Sequence, residues 1–157
     1  MKKMSDKQFS EFKNNNDFFV KMNIHQKIGK KDLFSLISQI VAFKKGMSQV
    51  EILKSMQTRE KLKNTAFGHG IAFPHIILEQ EVIPSLIICK LTPKIDEWKC
   101  PDNTAVNTCL VLVISRKSKS NDQRIKRMTK IFRKFANKKF VIRISQCQTA
   151  QEIEKYL

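Results

Sequence analysis

Two dense apolar runs constrain the fold of this chain more than any other feature. One extends from Val82 to Leu91 and the other from Val106 to Ser115. Both have the length of a strand, and neither alternates between apolar and polar residues, so both faces of each strand must be covered. This predicts an α/β protein with helices on each side of a sheet. Pro84 cannot donate to a ladder, so it should lie near the start or edge of its strand.

Helical patterns flank these runs. Apolar residues recur at helical spacing from Lys30 to Lys45, and Gly46 ends the pattern. Ser48 and Glu51 form a capping-box pattern that starts a second helix, which reaches about Leu62. Its predicted buried face consists of Val50, Leu53 and Met56.

The second half of the chain has two further helical starts. Asn121 or Asp122 caps a helix to about Asn137, and Thr149 with Glu152 starts a terminal helix. We expect Ile153, Tyr156 and Leu157 of that terminal helix to pack inward. Between the apolar runs, the segments 95–98 and 101–103 predict a loop, with Trp98 docked on the body of the domain.

Length and composition predict one domain. A chain of 157 residues suffices for a single core. Residues 1–16 read as a polar N-terminal arm and residues 17–157 as the domain, with a strand near residues 17–23. No apolar run reaches the roughly 18 residues that span a membrane, and the N-terminus lacks the apolar core of a signal peptide. The four scattered cysteines favour a reducing cytoplasm.

The net charge of +16 is unusual for a domain of this size. Such a charge creates a long-range field that attracts acidic proteins, nucleic acid or anionic lipid. Composition does not choose among these partners. The helix after Asp122 presents many lysines and arginines on its polar face, which indicates either a solvated surface or a contact with an anionic partner.

The segment from Thr65 to His75 carries the candidate chemistry. Gly68 and Gly70 can adopt positive φ, so the turn around His69 can direct amide hydrogens towards an anion. Pro74 rigidifies the approach to His75, and a neutral imidazole held in this way suits nucleophilic work. The alternative is that both histidines are ordinary loop residues.

The octapeptide G-H-G-I-A-F-P-H at residues 68–75 closely resembles a signature of the enzyme IIA domain of the bacterial phosphotransferase system. The class is the fructose/mannitol type, which includes nitrogen-regulatory paralogues. The upstream M-Q-T-R-E-K-L and downstream P-K-I-D-E-W segments are also similar to that family. The resemblance implies a mixed β-sheet with helices on both faces, and it implies a helix at residues 140–144, where F-V-I-R-I alternates like a strand.

The resemblance also implies a function for His75. It would accept a phosphoryl group from an HPr-like carrier and pass it to an enzyme IIB or act on a regulated target, without a metal or organic cofactor. The residues expected to stabilise the phosphoryl group share a position around the motif: Arg59, Thr65, Gly68, His69, Gly70 and Arg124. The implied location is cytoplasmic.

Two departures from the family pattern stand out. Arg124 occupies the position where the family commonly has a second histidine, and an arginine binds phosphate but does not shuttle protons at neutral pH. His69 stands where the family often has a small or polar residue. An alternative function is therefore a basic binding protein that keeps the fold and holds nucleic acid or an acidic protein.

Overall fold

The computed structural model describes residues 18–157, which form a six-stranded sheet and five helices. The strands are β1 Phe19–Ile24, β2 Ala66–Gly68, β3 Ile71–Ala72, β4 His75–Leu78, β5 Ser85–Lys99 and β6 Ala105–Ser115. The helices are α1 Lys30–Lys45, α2 Gln49–Leu62, α3 Gln123–Lys134, α4 Lys138–Gln146 and α5 Ala150–Tyr156. The predicted arm over residues 1–16 lies outside the described residues.

The sheet is mixed and is centred on β5 and β6. Its order is β1-β5-β6-β3-β2, and β4 pairs with β6 on the same side as β3. The pair β5/β6 is antiparallel, whereas β1 is parallel to β5, and β3 and β4 are both parallel to β6. Strands β3 and β4 thus follow one line along β6, interrupted by Phe73 and Pro74.

Helices cover both faces of this sheet, which confirms the predicted fold class. Helices α1 and α2 pack on one face in a core with Ile37, Ile52 and Trp98. Helices α3, α4 and α5 pack on the other face in a second core with Ile131 and Ile153. Burying both faces explains why the two central strands are apolar along most of their length.

The predicted loop at residues 95–98 was wrong, because β5 continues through it to Lys99. Its pairing with β6 shifts register on either side of Ile95, so the strand bends where the sequence loses its apolar run. Trp98 is docked as predicted: it is buried, and its indole Nε1 donates to Asn64 Oδ1 at 2.9 Å. The strand starts at Ser85, directly after Pro84, as expected.

Two features of α2 differ from the prediction. Ser48 is the N-cap, yet its side chain makes no capping hydrogen bond. Val50 is 74% exposed, so its predicted burial was wrong. The inward face consists of Ile52 and Met56, one helical turn apart. Val50 lies two positions before Ile52, about 200° around the helix axis, and therefore points outward.

The C-terminal helices follow the predicted starts. Asp122 caps α3 by accepting hydrogen bonds from the amides of Arg124 and Ile125. Residues 138–146 form helix α4, so the helical alternative for the F-V-I-R-I segment is the right one. In α5, Ile153 is buried, whereas Tyr156 is 39% exposed and does not pack inward as predicted.

The four cysteines are free and buried. Across residues 18–157, we find no helix with the length and apolar character needed to cross a bilayer.

Candidate functional site

His75 is the first residue of β4, a strand that pairs with β6 alone among the described strands. Its register partner is Leu112, and the Pro74 carbonyl accepts the Leu112 amide at 3.1 Å. The histidine is half-buried, so its ring is neither sealed in the interior nor fully solvated. It is therefore fixed by the sheet while staying accessible to another molecule.

Helix α2 runs alongside β4 and brings Arg59 towards His75. The Ser55 hydroxyl donates to the Ile77 carbonyl at 3.1 Å, which ties the helix to the strand. Arg59 follows Ser55 by one helical turn, about 6 Å, and His75 precedes Ile77 by two strand residues, about 6.6 Å. Because α2 and β4 run in opposite directions, the step from Ser55 to Arg59 and the step from Ile77 back to His75 have the same direction and nearly the same length. The Arg59 guanidinium donates to the Lys63 carbonyl at 3.0 Å.

Burial and charge keep the His75 ring neutral at neutral pH. Partial burial lowers the pKa of His75 below its ordinary value of 6.5, and the nearby Arg59 cation lowers it further. The Glu60 carboxylate acts in the opposite direction and raises that pKa. A neutral imidazole has a free nitrogen lone pair, which is the form that attacks an electrophile.

Glu60, which was not among the predicted site residues, organises the residues next to His75. Its carboxylate accepts hydrogen bonds from the Thr65 amide at 3.1 Å and the Thr65 hydroxyl at 2.7 Å. It also pairs with Lys30 of α1 at 2.8 Å, and its side chain is 9% exposed. A carboxylate in the last turn of a helix opposes the macrodipole, and that was the available signal that Glu60 has tertiary partners.

Thr65 was expected to bond the histidine ring or a phosphate with its hydroxyl. The hydroxyl proton is instead donated to Glu60, and Thr65 is buried. The Thr65 carbonyl accepts the Phe73 amide at 3.0 Å, which closes the hairpin formed by β2 and β3. Thr65 thus fixes the start of the segment that leads to His75.

The turn between β2 and β3, which was predicted to direct amides at a phosphate on His75, uses those amides within the fold. The residues of this turn with positive φ are His69, at 51°, and Gly70, at 74°. Gly68 is not among the residues with positive φ. The His69 amide donates to Asp102 Oδ2 at 2.8 Å, and the Gly70 amide donates to Thr104 Oγ1 at 2.8 Å. Both amides are therefore already used.

The register also separates this turn from His75. Ile71, just after the turn, pairs with Thr108 of β6, whereas His75 pairs with Leu112. Four residues of strand span about 13 Å, which exceeds the reach of a phosphoryl group on the imidazole. Gly70 instead allows a close approach of strands, because a Cβ there would lie 2.9 Å from the Ala105 carbonyl oxygen.

Arg124 lies in the first turn of α3, and its amide donates to Asp122 Oδ1 at 2.8 Å. Its charge acts on Lys45 at the end of α1: burial, Lys44 and Arg124 together lower the pKa of Lys45 to about 8. The charges that act on His75 are those of Arg59 and Glu60. The site around His75 is therefore built mainly from β4 and the last turn of α2.

Comparisons with known proteins agree with this fold. Residues 14–157 match the family described as phosphoenolpyruvate-dependent sugar phosphotransferase system, EIIA 2. The nitrogen regulatory protein of Klebsiella oxytoca is 25% identical over 125 residues, which cover 79% of this chain and 75% of that protein. A fructose-like EIIA component of the phosphotransferase system from Escherichia coli K12 is 31% identical over 101 residues, which cover 64% of this chain and 66% of that protein.

Solved structures show the same architecture. The nitrogen regulatory protein IIA-Ntr from Neisseria meningitidis superimposes with a TM-score of 0.67 at 19% identity, covering 86% of this chain and 91% of that one. The IIA mannitol structure from Escherichia coli gives a TM-score of 0.57 at 20% identity, covering 90% of this chain and 95% of that one. The family match extends over nearly the whole sequence, and this chain therefore belongs to the EIIA type 2 family of the phosphoenolpyruvate-dependent sugar phosphotransferase system.

Proposed function

We propose that this protein is a histidine phosphocarrier and that His75 is the residue that carries the phosphoryl group. The observation that supports this most directly is the position of His75: a half-buried, neutral imidazole beside Arg59, at the edge of the sheet of an EIIA domain. The donor is an HPr-like carrier, and the acceptor is an enzyme IIB or a regulated target. We expect the protein to act in the cytoplasm.

The transfer needs few groups. A ring nitrogen of His75 attacks the phosphorus of the donor's phosphohistidine, the phosphorus–nitrogen bond to the donor breaks, and the donor imidazole leaves with its electron pair. The charge of a loose transition state is spread over the equatorial oxygens, so a guanidinium beside them stabilises it. We assign this role to Arg59, whose charge acts on the His75 ring, and the proposed step uses no metal or organic cofactor.

Arg124 remains a proposed second phosphate contact. Its permanent charge and planar donors suit a phosphate, although it does not act as an acid or base at neutral pH. Thr65 and Glu60 support the site by fixing the chain that leads to His75. The glycine turn has a structural role in this proposal, since its amides at His69 and Gly70 are bonded elsewhere.

A structural relative has been solved together with a phosphorylated enzyme IIB. A complex of enzyme IIA mannitol with phosphorylated enzyme IIB mannitol from Escherichia coli contains a chain that superimposes on this one with a TM-score of 0.59 at 17% identity. We propose that this protein passes its phosphoryl group to a partner of this kind, either an enzyme IIB or a regulated protein.

The test is phosphorylation with labelled phosphoenolpyruvate, enzyme I and an HPr-like carrier. We expect a phosphoryl adduct that is stable in base and lost in acid, and that disappears in His75→Ala. His69→Ala and His25→Ala are matched controls because they remove the other two histidines of the chain, and both should still be labelled. Labelling that persists in His75→Ala would exclude the proposal.

A further inference from the structure

An open apolar groove lies between the sheet and α3. It is lined by Leu112 and Ile114 of β6 and by five residues of α3: Ile125, Met128, Thr129, Phe132 and Arg133. Its volume is about 490 Å³, and its floor is almost entirely apolar. A contiguous apolar surface with a polar rim is typical of a site that contacts another molecule.

The β6 side of the groove lies next to the strand that carries His75. In the parallel ladder of β4 and β6, His75 is the register partner of Leu112 and Ile77 is the register partner of Ile114. Register partners lie about 4.8 Å apart and direct their side chains to the same face of the sheet. A molecule that fills the groove therefore lies about one strand spacing from the edge strand that carries the imidazole.

The α3 side of the groove is strongly basic. Residues 116–143 contain twelve lysines and arginines but one carboxylate, Asp122, which caps α3. Arg116 of this segment pairs with Glu79, and the Lys134 ammonium donates to the Leu157 carbonyl at 2.8 Å. Arg133 lines the groove, and the exposed Lys126 and Lys130 lie one to two turns before it on the same helix.

We propose that this groove is the docking site for a protein partner that presents an apolar side chain surrounded by carboxylates. The inference rests on the proposed function, because the groove adjoins His75, and it specifies the chemistry of the protein that exchanges the phosphoryl group. The apolar anchor occupies the space between β6 and α3, and the carboxylates face Lys126, Lys130 and Arg133. Complementary charges at the rim mainly increase the association rate and select the partner.

The lining favours an acidic protein over a nucleic acid. Binding of single-stranded nucleic acid relies on aromatic ring faces on which bases stack. The floor of this groove is aliphatic except for Phe132, whose ring packs edge-to-face against Phe73 with centroids 5.3 Å apart. Apolar pockets with a charged rim are instead typical of protein interfaces.

The test uses two versions of one HPr-like carrier as probes. In one version the charged positions of the docking face are all lysine or arginine, and in the other the same positions are glutamate. Each carrier is phosphorylated and its transfer to this protein is measured as kcat/KM. We expect the acidic version to transfer at least about 10-fold faster at low ionic strength, with the difference shrinking as salt is added.

Two triple variants of this protein locate the effect. Lys126→Glu with Lys130→Glu and Arg133→Glu should reverse the preference, so that the basic carrier becomes the faster donor. Lys138→Glu with Lys139→Glu and Lys155→Glu changes the net charge equally, at exposed positions that do not line the groove, and should keep the native preference. Equal preferences of the native protein, or equal effects of the two triple variants, would overturn the proposal.

Phosphoramidate separates failure of docking from failure of the chemistry. This small donor transfers its phosphoryl group to an imidazole nitrogen with loss of ammonia, and it needs no docking surface. For each variant, the rate measured with a carrier is therefore divided by the rate measured with phosphoramidate. If phosphoramidate does not label His75, the proposed function fails, and calorimetric binding of the unphosphorylated carriers still tests the groove. The proposal would also be overturned if a single-stranded RNA of about 20 nucleotides displaced the acidic carrier by binding to Lys126, Lys130 and Arg133.

Discussion

The two ends of the segment 68–75 adjoin in sequence but differ in what holds them. At the glycine turn, the His69 and Gly70 amides donate hydrogen bonds to Asp102 and Thr104. These bonds fasten the turn to the loop that connects β5 and β6. At His75, the backbone is held by β6 while the ring remains half-exposed beside Arg59. One end therefore serves stability and the other is available for chemistry. Continuity in a motif does not imply a continuous site.

The largest effect should come from Gly70→Ala. A Cβ at Gly70 would lie 2.9 Å from the Ala105 carbonyl oxygen, and φ is 74°. We expect a loss of about 3 kcal/mol in the free energy of unfolding, measured by urea denaturation. Gly46→Ala is the matched control, because φ is 64° there and no atom lies within 4 Å of the new Cβ, so about 1 kcal/mol should be lost.

The same Gly70→Ala variant tests the division between the two ends. Phosphoramidate should label His75 in the folded fraction at the native rate, because the turn lies about 13 Å along the strand from the imidazole. A folded variant that labels much more slowly would show that the turn belongs to the reactive site after all.

Arg59→Ala should affect the other end. We expect a fall of about 100-fold in the rate of phosphoryl transfer to His75, since one donor to the transition-state oxygens is removed. The free energy of unfolding should change little, because the guanidinium's hydrogen bond to the Lys63 carbonyl is solvent-exposed and local. Arg59→Lys keeps the charge but loses the planar donors, so its rate of phosphoryl transfer should lie between those of the native protein and Arg59→Ala.

The pH dependence of labelling should shift in opposite directions in two variants. Arg59 lowers and Glu60 raises the pKa of His75, so Arg59→Ala should move the midpoint of labelling to higher pH and Glu60→Gln to lower pH. In the native protein the midpoint should lie below 6.5, because burial disfavours the imidazolium. Phosphoramidate rates from pH 4 to pH 8 test this, and comparison between variants cancels the titration of the donor. Shifts in the same direction would contradict it.

The smallest effect should come from Asp102→Asn. Hydrogen bonds from the Thr104 hydroxyl and the His69 amide lower the pKa of Asp102 to about 2. A carboxyl group whose pKa is lower in the folded state than in the unfolded state stabilises the fold at pH values above its unfolded-state pKa of 3.8. This stabilisation is lost as the pH falls towards 2, the pKa in the folded state. Because Asp102 is exposed, we expect less than about 1 kcal/mol. Urea midpoints should differ between variant and native protein at pH 5 and converge near pH 2.

Local patterns predicted the elements well. The bounds of α1 and the Asp122 cap of α3 follow from helical spacing and side-chain chemistry within a few residues, and such interactions are present in the sequence itself. The burial of Val50 was predicted wrongly, because Ile52 and Met56 form an equally apolar stripe and only packing against the sheet chooses between the two. The extension of β5 to Lys99 depends on pairing with β6, which the local sequence of 95–98 does not encode.

The sequence indicated the two central residues of the candidate site, His75 and Arg59, but not the hydrogen bonds and ion pairs that hold the segments around them. The imidazole of His75 and the nearby Arg59 follow from the motif and the helix end. The hydrogen bonds from the glycine turn to Asp102 and Thr104 join residues more than thirty positions apart, so spacing alone could not show that the amides are occupied. The same holds for Lys30 and Glu60, which meet only after α1 and α2 pack together.

The match between one turn of α2 and two residues of β4 has a consequence for how this region can vary. Ser55 is fastened to Ile77, and Arg59 stands one turn further along. Insertion of a single residue between Ser55 and Arg59 would rotate the guanidinium by about 100° around the helix axis and point it away from the strand. Substitutions can accumulate along this stretch, but its length cannot drift while a cation is to remain next to the imidazole.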